Sequence, residues 1–527
     1  MPTTYNFKNV HDLPEWVGCS NSLNANAAAG CLAWDSREGI DRHPLIYQLV
    51  SAAVLNAYNP QTDEWIFVGN PGLGTFAAGA GAIFVASAGP NGTIAAGAST
   101  TSIPVTTAFP AAVGVNQLAN RGDGVQGFKV RIVGLTAGKT EERYIVGNTG
   151  GTTPTLTLDS ALSFAPTNSD KYYLLSGRVF LMATAATILK YYDIATNSFS
   201  AALTVTNLTT PAIDNTMTVL DELWTPAGKL PGQGFFGEMT ATAATNVTNA
   251  TLTGTSAAAD ASLQANEYAN FQIRITQDGT NPGSVGQRLK ITSHTGANPT
   301  VYTLNGVWGT APSATAKYVV EGVGDIICMT GSAVALAHTY AAAGWRADGA
   351  WSTGVTNGAV AALQIPARQA NTAAGQVLQW AYGFSSLDAA KATRYSGVYF
   401  FRGGGVNTID CLDLATLSWT TGIGGADIAY GNKGSTTFTT GTCGVYDPNT
   451  NGGKYLYLNQ SGTQRFLRFD MKNRMLEPWN FYRQPQGVAT LGARMAGAWA
   501  VDGSAYGFYP YFWGATQSNF TRALAPN

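Results

Sequence analysis

Residues able to do chemistry are thinly spread over this chain of 527 residues. Two adjacent carboxylate pairs, Glu141-Glu142 and Asp221-Glu222, hold the right groups for an acid and a base. Neighbours on a strand point to opposite faces, so both pairs are expected as solvated turns rather than as a catalytic couple. "GLTAGKT" (Gly134–Thr140) has the outline of a phosphate loop, but only three residues separate its glycines and no strand–loop–helix context follows. It is expected to be a hairpin turn, and "RGD" at Arg121–Asp123 a solvated loop. The histidines (His11, His43, His294, His338) show neither HxH nor HExxH spacing, so no metal centre is expected. Of the five cysteines, Cys411 and Cys443 lie in strand-like runs and are expected as small buried apolar residues. Cys19 and Cys31 are near enough in sequence to pair, Cys328 stands apart, and the odd total leaves at least one thiol free. No catalytic, cofactor-binding or metal residue is assigned, no cofactor is expected, and the chain is not expected to be an enzyme.

The informative pattern is a repeat. "YNPQTDEW" (Tyr58–Trp65) places a Trp six residues after Asn59. "YYDIATNSF" places Phe199 six residues after Asp193, and "CLDLATLSW" places Trp419 six residues after Asp413. Gly177 aligns with Gly397 without a gap as far as these aromatics. Looser copies run from Gly324 to Trp345 and from Gly453 to Trp479, the latter with its aromatic displaced. Short aromatic and β-branched runs such as "VYFF" and "YLYL" suit half-buried strands. The Asx residue makes the tight turn that follows, because its side chain bonds its own backbone two residues on. A four-stranded unit of this kind must stack on its copies to bury both faces. Trp65, Phe199 and Trp419 are therefore expected at equivalent, largely buried inter-blade positions.

Composition fits this reading. Charged residues make up 12% and Gly numbers 61, as in a many-stranded protein with numerous turns, while 11% aromatics exclude a disordered chain. Net charge is −1 with no run of Lys or Arg, which argues against tight binding to nucleic acid. No stretch of 18 apolar residues is present, so no membrane span is expected, and the N-terminus lacks a signal pattern.

Two long segments, 75–176 and 237–323, interrupt the repeat and resemble each other. "GFKVRI" answers "NFQIRI", "RYIVGNTG" answers "RLKITSHTG", "PTLTL" answers "PTVYTL", and "APTNSDKYYL" answers "APSATAKYVV". From Gly177 to Gly324 the step is 147 residues. Each segment reads as a small inserted β-sandwich of the immunoglobulin scale. The expected fold is thus all-β: a propeller of six or seven blades from 1–74, 177–236 and 324–527, carrying two sandwich inserts. The aromatic C-terminal run Tyr506–Leu524 is expected to share one closing blade with the N-terminus, with Phe512 and Trp513 at the seam.

The "GG…YD…T..W" grammar resembles that of kelch-type propeller blades. Sialidase-type boxes need a Gly that "YNPQTDEW" and "LDLATLSW" lack. The insert wording, "GQRLKITSHTGANPTVYTLNGVWGTAPSATAKYVVEG", is similar to segments of tailed-phage virion proteins. A propeller with sandwich inserts resembles the nozzle or hub protein of short phage tails. That resemblance implies a virion protein made in the host cytoplasm. It would form a homo-oligomeric ring of six copies around the DNA exit channel and dock an adaptor, fibres or a plug, with genomic DNA passing through unread. The alternatives are a fibre-associated, glycan- or receptor-binding protein, and a carbohydrate-active propeller enzyme.

Overall fold

The computed structural model describes residues 16–24, 30–35, 45–74, 80–120, 127–182, 188–204, 217–220, 239–241, 251–254, 265–266, 268–296, 299–322, 324–329, 334–335, 337–341, 352–353, 368–369, 377–384, 394–401, 409–413, 418–424, 443–446, 455–460, 465–471, 474–483, 489–499, 508–515 and 520–523. The protein is all-β and propeller-like, and no α-helix occurs among the described residues.

Six antiparallel sheets follow one another along the chain. The first runs Cys31–Trp34, Ile46–Ser51, Val54–Asn59, Glu64–Gly69. The second pairs Gly81–Val85 with Arg178–Met182, then Ile188–Asp193 and Ser198–Phe199. The third runs Met217–Leu220, Asp325–Met329, Ala337–Ala341, Ser352–Thr353. The fourth covers Val377–Phe384 to Ser418–Gly424, and the fifth Cys443–Tyr446 to Met475–Arg483. In the sixth, Ala489–Trp499, Phe508–Ala515 and Phe520–Ala523 are joined by Trp16–Gly18 from the other end of the chain. A further two-stranded pairing links Val334–Ala335 with Arg368–Gln369.

The leading strands of consecutive sheets touch, and Ala489–Trp499 of the sixth returns to Cys31–Trp34 of the first. Apolar clusters fill the gaps between sheets. Tyr47, Leu49, Phe84 and Val179 lie between the first and second. Phe180, Met182, Met217 and Ile326 lie between the second and third. Tyr399, Phe401, Leu456 and Phe469 lie between the fourth and fifth, and Ile46, Tyr58, Tyr511 and Trp513 between the first and sixth. No sheet could bury both faces alone, so each gains its stability from its neighbours.

The two inserts enter at the same place, between the first and second strands of the second and third sheets. This corrects the sequence-based boundary at residue 75. Gly81–Val85 is a buried first strand of the second sheet, and the insert begins after it. Both inserts rejoin the sheets at a glycine in the left-handed region, Gly177 (φ 84) and Gly324 (φ 74). At Gly177 a Cβ would run into the Phe84 ring, so glycine is required there twice over.

Strand registers correspond between the two inserted segments. Ile132 faces Tyr172 as Ile275 faces Tyr318, and Ile145 faces Leu158 as Ile291 faces Leu304. Each copy bulges at the matching point, Ile145/Gly147 and Ile291/Ser293, where one long strand passes between two sheets. Their interiors are apolar: Val130, Ile132, Leu156 and Tyr172 in the first, Ile273, Ile275, Tyr302 and Tyr318 in the second.

Candidate functional site: the junction of the inserts and the seam of the wheel

The inserts meet edge to edge. Lys139 pairs with Gln277, and Asp278 N–H donates to Gly138 C=O at 2.8 Å. Gly138 has φ 63, and a Cβ there would collide with Asp278 O. "GLTAGKT" is therefore a hairpin turn, as its spacing implied, and its second glycine lets the two backbones touch. Asp278 anchors the other side. It accepts from Thr280, Asn281 and Ser313 N–H and from the Ser284 and Ser313 hydroxyls. Burial pushes its carboxyl up, but these bonds, led by those from Asn281 and Ser313, outweigh it and hold the pKa below the ordinary value.

Behind this edge lies a cluster of charges. Arg131 Nε binds Glu142 at 2.8 Å, with Lys129 Nζ 3.8 Å from the same carboxylate. Arg274 binds Glu321 through Nε at 3.0 Å and Nη2 at 3.2 Å, and Arg288 Nε lies 3.8 Å away from it. Arg288 of the second insert also lies over the Tyr173 ring of the first, 5.4 Å from its centre. Arg131 and Arg274 occupy equivalent registers. Their cross-strand partners do not match: Arg131 faces Glu142, whereas Arg274 faces Arg288. Two arginines opposite one another repel. Glu321, which stands where the first copy has Leu175, reaches both and offsets that repulsion. Burial pushes the Glu142 carboxyl up, but Arg131, Lys129 and Arg274 together hold it below its ordinary value. Glu141 and Glu142 point to opposite faces, as expected, yet neither is a solvated turn. Glu141 binds Arg143 and the Ser163 hydroxyl in mid-strand.

The inserts also dock on the sheets. Ala195 belongs to the first insert's apolar cluster, and Gln117 Nε2 donates to Ala195 O at 2.7 Å. Val398, Phe400 and Leu412 of the fourth sheet belong to the second insert's cluster.

The repeat aromatics occupy matched registers: Tyr58 faces Trp65, Tyr192 faces Phe199, and Leu412 faces Trp419. All three aromatics are half-buried rather than largely buried. They stand on the outermost strand of their sheets, where one side of the ring meets solvent. Trp65 packs at the gap between first and sixth sheets, and Phe199 at the gap between first and second, over Gly69. Trp419 packs on Phe400 and the second insert's cluster.

At the seam, Trp16–Gly18 pairs with Phe520–Ala523, Phe512 with Thr521, and Trp513 with Phe520. Trp513 is fully buried, and Tyr511 contacts Tyr58 at 5.7 Å. The chain leaving the seam is clamped at Ser20. Its N–H donates to Asp63 at 2.8 Å and its C=O accepts from Trp65 Nε1 at 2.9 Å. Cys19 and Cys31 are not paired with each other. Neither forms a disulfide, and Cys31 Sγ donates to Ala80 O at 2.8 Å. Cys443 is buried, as expected for a small apolar residue, and the half-buried Cys411 packs against the apolar cluster between the fourth and fifth sheets.

His294 is a satisfied core histidine. It accepts from Tyr268 N–H at Nε2, contacts Thr295 O through Nδ1, and stacks on Tyr268. Among the described residues no cluster of three His, Cys, Asp or Glu could hold a metal ion. No described helix is long and apolar enough to cross a membrane. Arg121–Asp123, Asp221-Glu222, His11 and His43 lie outside the described residues.

No protein-family model matches the chain, and no curated protein matches it by sequence. Solved structures with which it shares features include a chain of the mitotic checkpoint complex, at 8% identity and TM-score 0.31, covering 98% of this chain and 93% of that one. The C-terminal WD40 domain of Sif2 matches at 7% identity and TM-score 0.30, covering 98% and 99%. The Penicillium chrysogenum α-L-arabinanase complexed with arabinobiose matches at 10% identity and TM-score 0.20, covering 66% and 89%. Likenesses this distant carry no argument about activity.

Proposed function

We propose that this chain is a structural component of a tailed-phage particle, a nozzle or hub subunit. It is built as a six-bladed β-propeller carrying two β-sandwich domains. One observation supports this most: the duplicated inserts are fused edge to edge and each is docked on the wheel. A strand pairing, a buried charge cluster and two apolar contacts make the inserts and the wheel a single stiff body. Such a body suits a permanent assembly in which shape and many moderate contacts hold subunits together. The near-neutral chain would let genomic DNA slide through a ring without gripping it. In this reading six copies surround the DNA exit channel, and adaptor, fibre or plug proteins dock on the ring. The test is electron microscopy of the purified protein. A closed ring with paired lobes on each subunit supports the reading, and single wheels or trimeric fibres overturn it.

A further inference from the structure

A groove of about 560 Å³ opens between the outer strand of the first sheet and the first insert, within the size range of small-molecule sites. Its floor is aromatic and buried, formed by Tyr192 and Phe128. One lip carries Ile66 and Phe67, 48% and 60% exposed although both are large and apolar. Consecutive residues on a strand point to opposite faces, so a groove bordered by both follows the strand's outer edge. The other walls carry the amides of Gln117, Asn120 and Asn197, and none of the fifteen described lining residues is charged. The groove is preformed, because the Gln117–Ala195 bond holds the insert against the second sheet. Asn197 is held at φ 50, and its Oδ1 accepts from the Tyr192 phenol at 2.8 Å. Its Nδ2 is thereby left to donate outward.

We infer that this groove binds a neutral saccharide. Phe67 offers a flat apolar platform for the C–H face of a sugar ring, and Asn197 Nδ2 bonds its hydroxyls. The chemistry selects for this class. An anionic ligand would find no cation among the described lining residues to pair with. A purely apolar ligand would leave Asn197 Nδ2 without a partner on its side of the groove. An aromatic beside neutral donors and acceptors fits a molecule that is apolar on its faces and hydroxylated on its rim. The inference does not rest on the particle reading, because binding here needs one chain and no ring.

The test is titration calorimetry on the full chain with neutral trisaccharides: maltotriose, cellotriose, mannotriose and galactotriose. 3′-Sialyllactose serves as the anionic control, and an uncharged, alternating Val-Thr heptapeptide as a strand mimic. At least one neutral sugar should bind. Phe67→Ala should weaken it by about tenfold, close to 1.4 kcal/mol, with the melting temperature unchanged because the ring is exposed. Asn197→Gly, which keeps the left-handed backbone, should also weaken it. The inference is overturned if no neutral trisaccharide binds at millimolar concentration, or if Phe67→Ala binds as well as the parent. It is equally overturned if the sialylated sugar binds as tightly as every neutral one, or if only the peptide binds, which would make the strand edge a docking site for another chain.

Discussion

The Tyr58 phenol donates to the Asp63 carboxylate at 2.6 Å, and the Tyr192 phenol donates to the Asn197 amide oxygen at 2.8 Å in the same place of the next sheet. In both, the acceptor sits in the left-handed region, at φ 56 and φ 50, just before the outer strand begins. Asp and Asn tolerate that conformation better than most residues. The phenol then locks the turn onto the strand that precedes it. Burial, followed by the bond to Asp63, raises the Tyr58 pKa well above its ordinary value, so the phenol remains a donor. The fifth sheet makes the same turn with Arg474 at φ 55.

Tyr58→Phe should destabilise the protein by about 1.5–3 kcal/mol, since the acceptor is charged, and Tyr192→Phe by about 0.5–1.5 kcal/mol. Thermal melting checks the order of the two variants. Amide exchange across 59–64 and 193–198 checks that the loss is local.

Gly138→Ala should loosen the insert junction. The left-handed backbone alone costs a non-glycine residue about 1–2 kcal/mol, and the collision with Asp278 O adds to it. Faster amide exchange at Gln277 and Asp278, with the wheel's exchange unchanged, is the expected outcome.

Acid should weaken the same junction. The folded-state pKa of Glu142 is lowered, so its contribution is full above its unfolded value of 4.5 and is lost as pH falls through the lower folded value. Glu142→Gln should lose this part of the pH dependence while showing a lower melting temperature at neutral pH. Melting curves between neutral pH and pH 3 separate the two variants. The side chain is one-third exposed, so solvent screens the effect and a modest shift is expected.

Deleting residues 506–527 should destabilise the whole wheel, because it removes two strands of the sixth sheet and the buried Tyr511 and Trp513. A melting temperature equal to that of the full chain would contradict the seam.

Much of the all-β, propeller-like pattern is legible in the sequence because it rests on local chemistry. The spacing from Asn59 to Trp65, Asp193 to Phe199 and Asp413 to Trp419 is one hairpin, and a hairpin's register is set by its own turn. The likeness of the segments around Ile132 and Ile275 is legible for the same reason. One detail slipped. Matching "RYIV" with "RLKI" aligns Arg143 with Arg288, whereas the shared bulge places Arg288 where Glu142 stands. A shift of one residue moves a side chain to the other face, and the charge cluster stays hidden until the register is known. The junction itself depends on contacts between residues 139 and 277, for which no local pattern exists. The start of the first insert is not legible, because "GAIFV" reads equally well as the last strand before an insert or the first within it.

In the proposed function this chain is a ring-forming structural subunit. Mass photometry of the purified protein tests it most directly. A dominant species close to six times the 55.1 kDa of one chain is the expected result. A single species at 55.1 kDa at every concentration measured would contradict it.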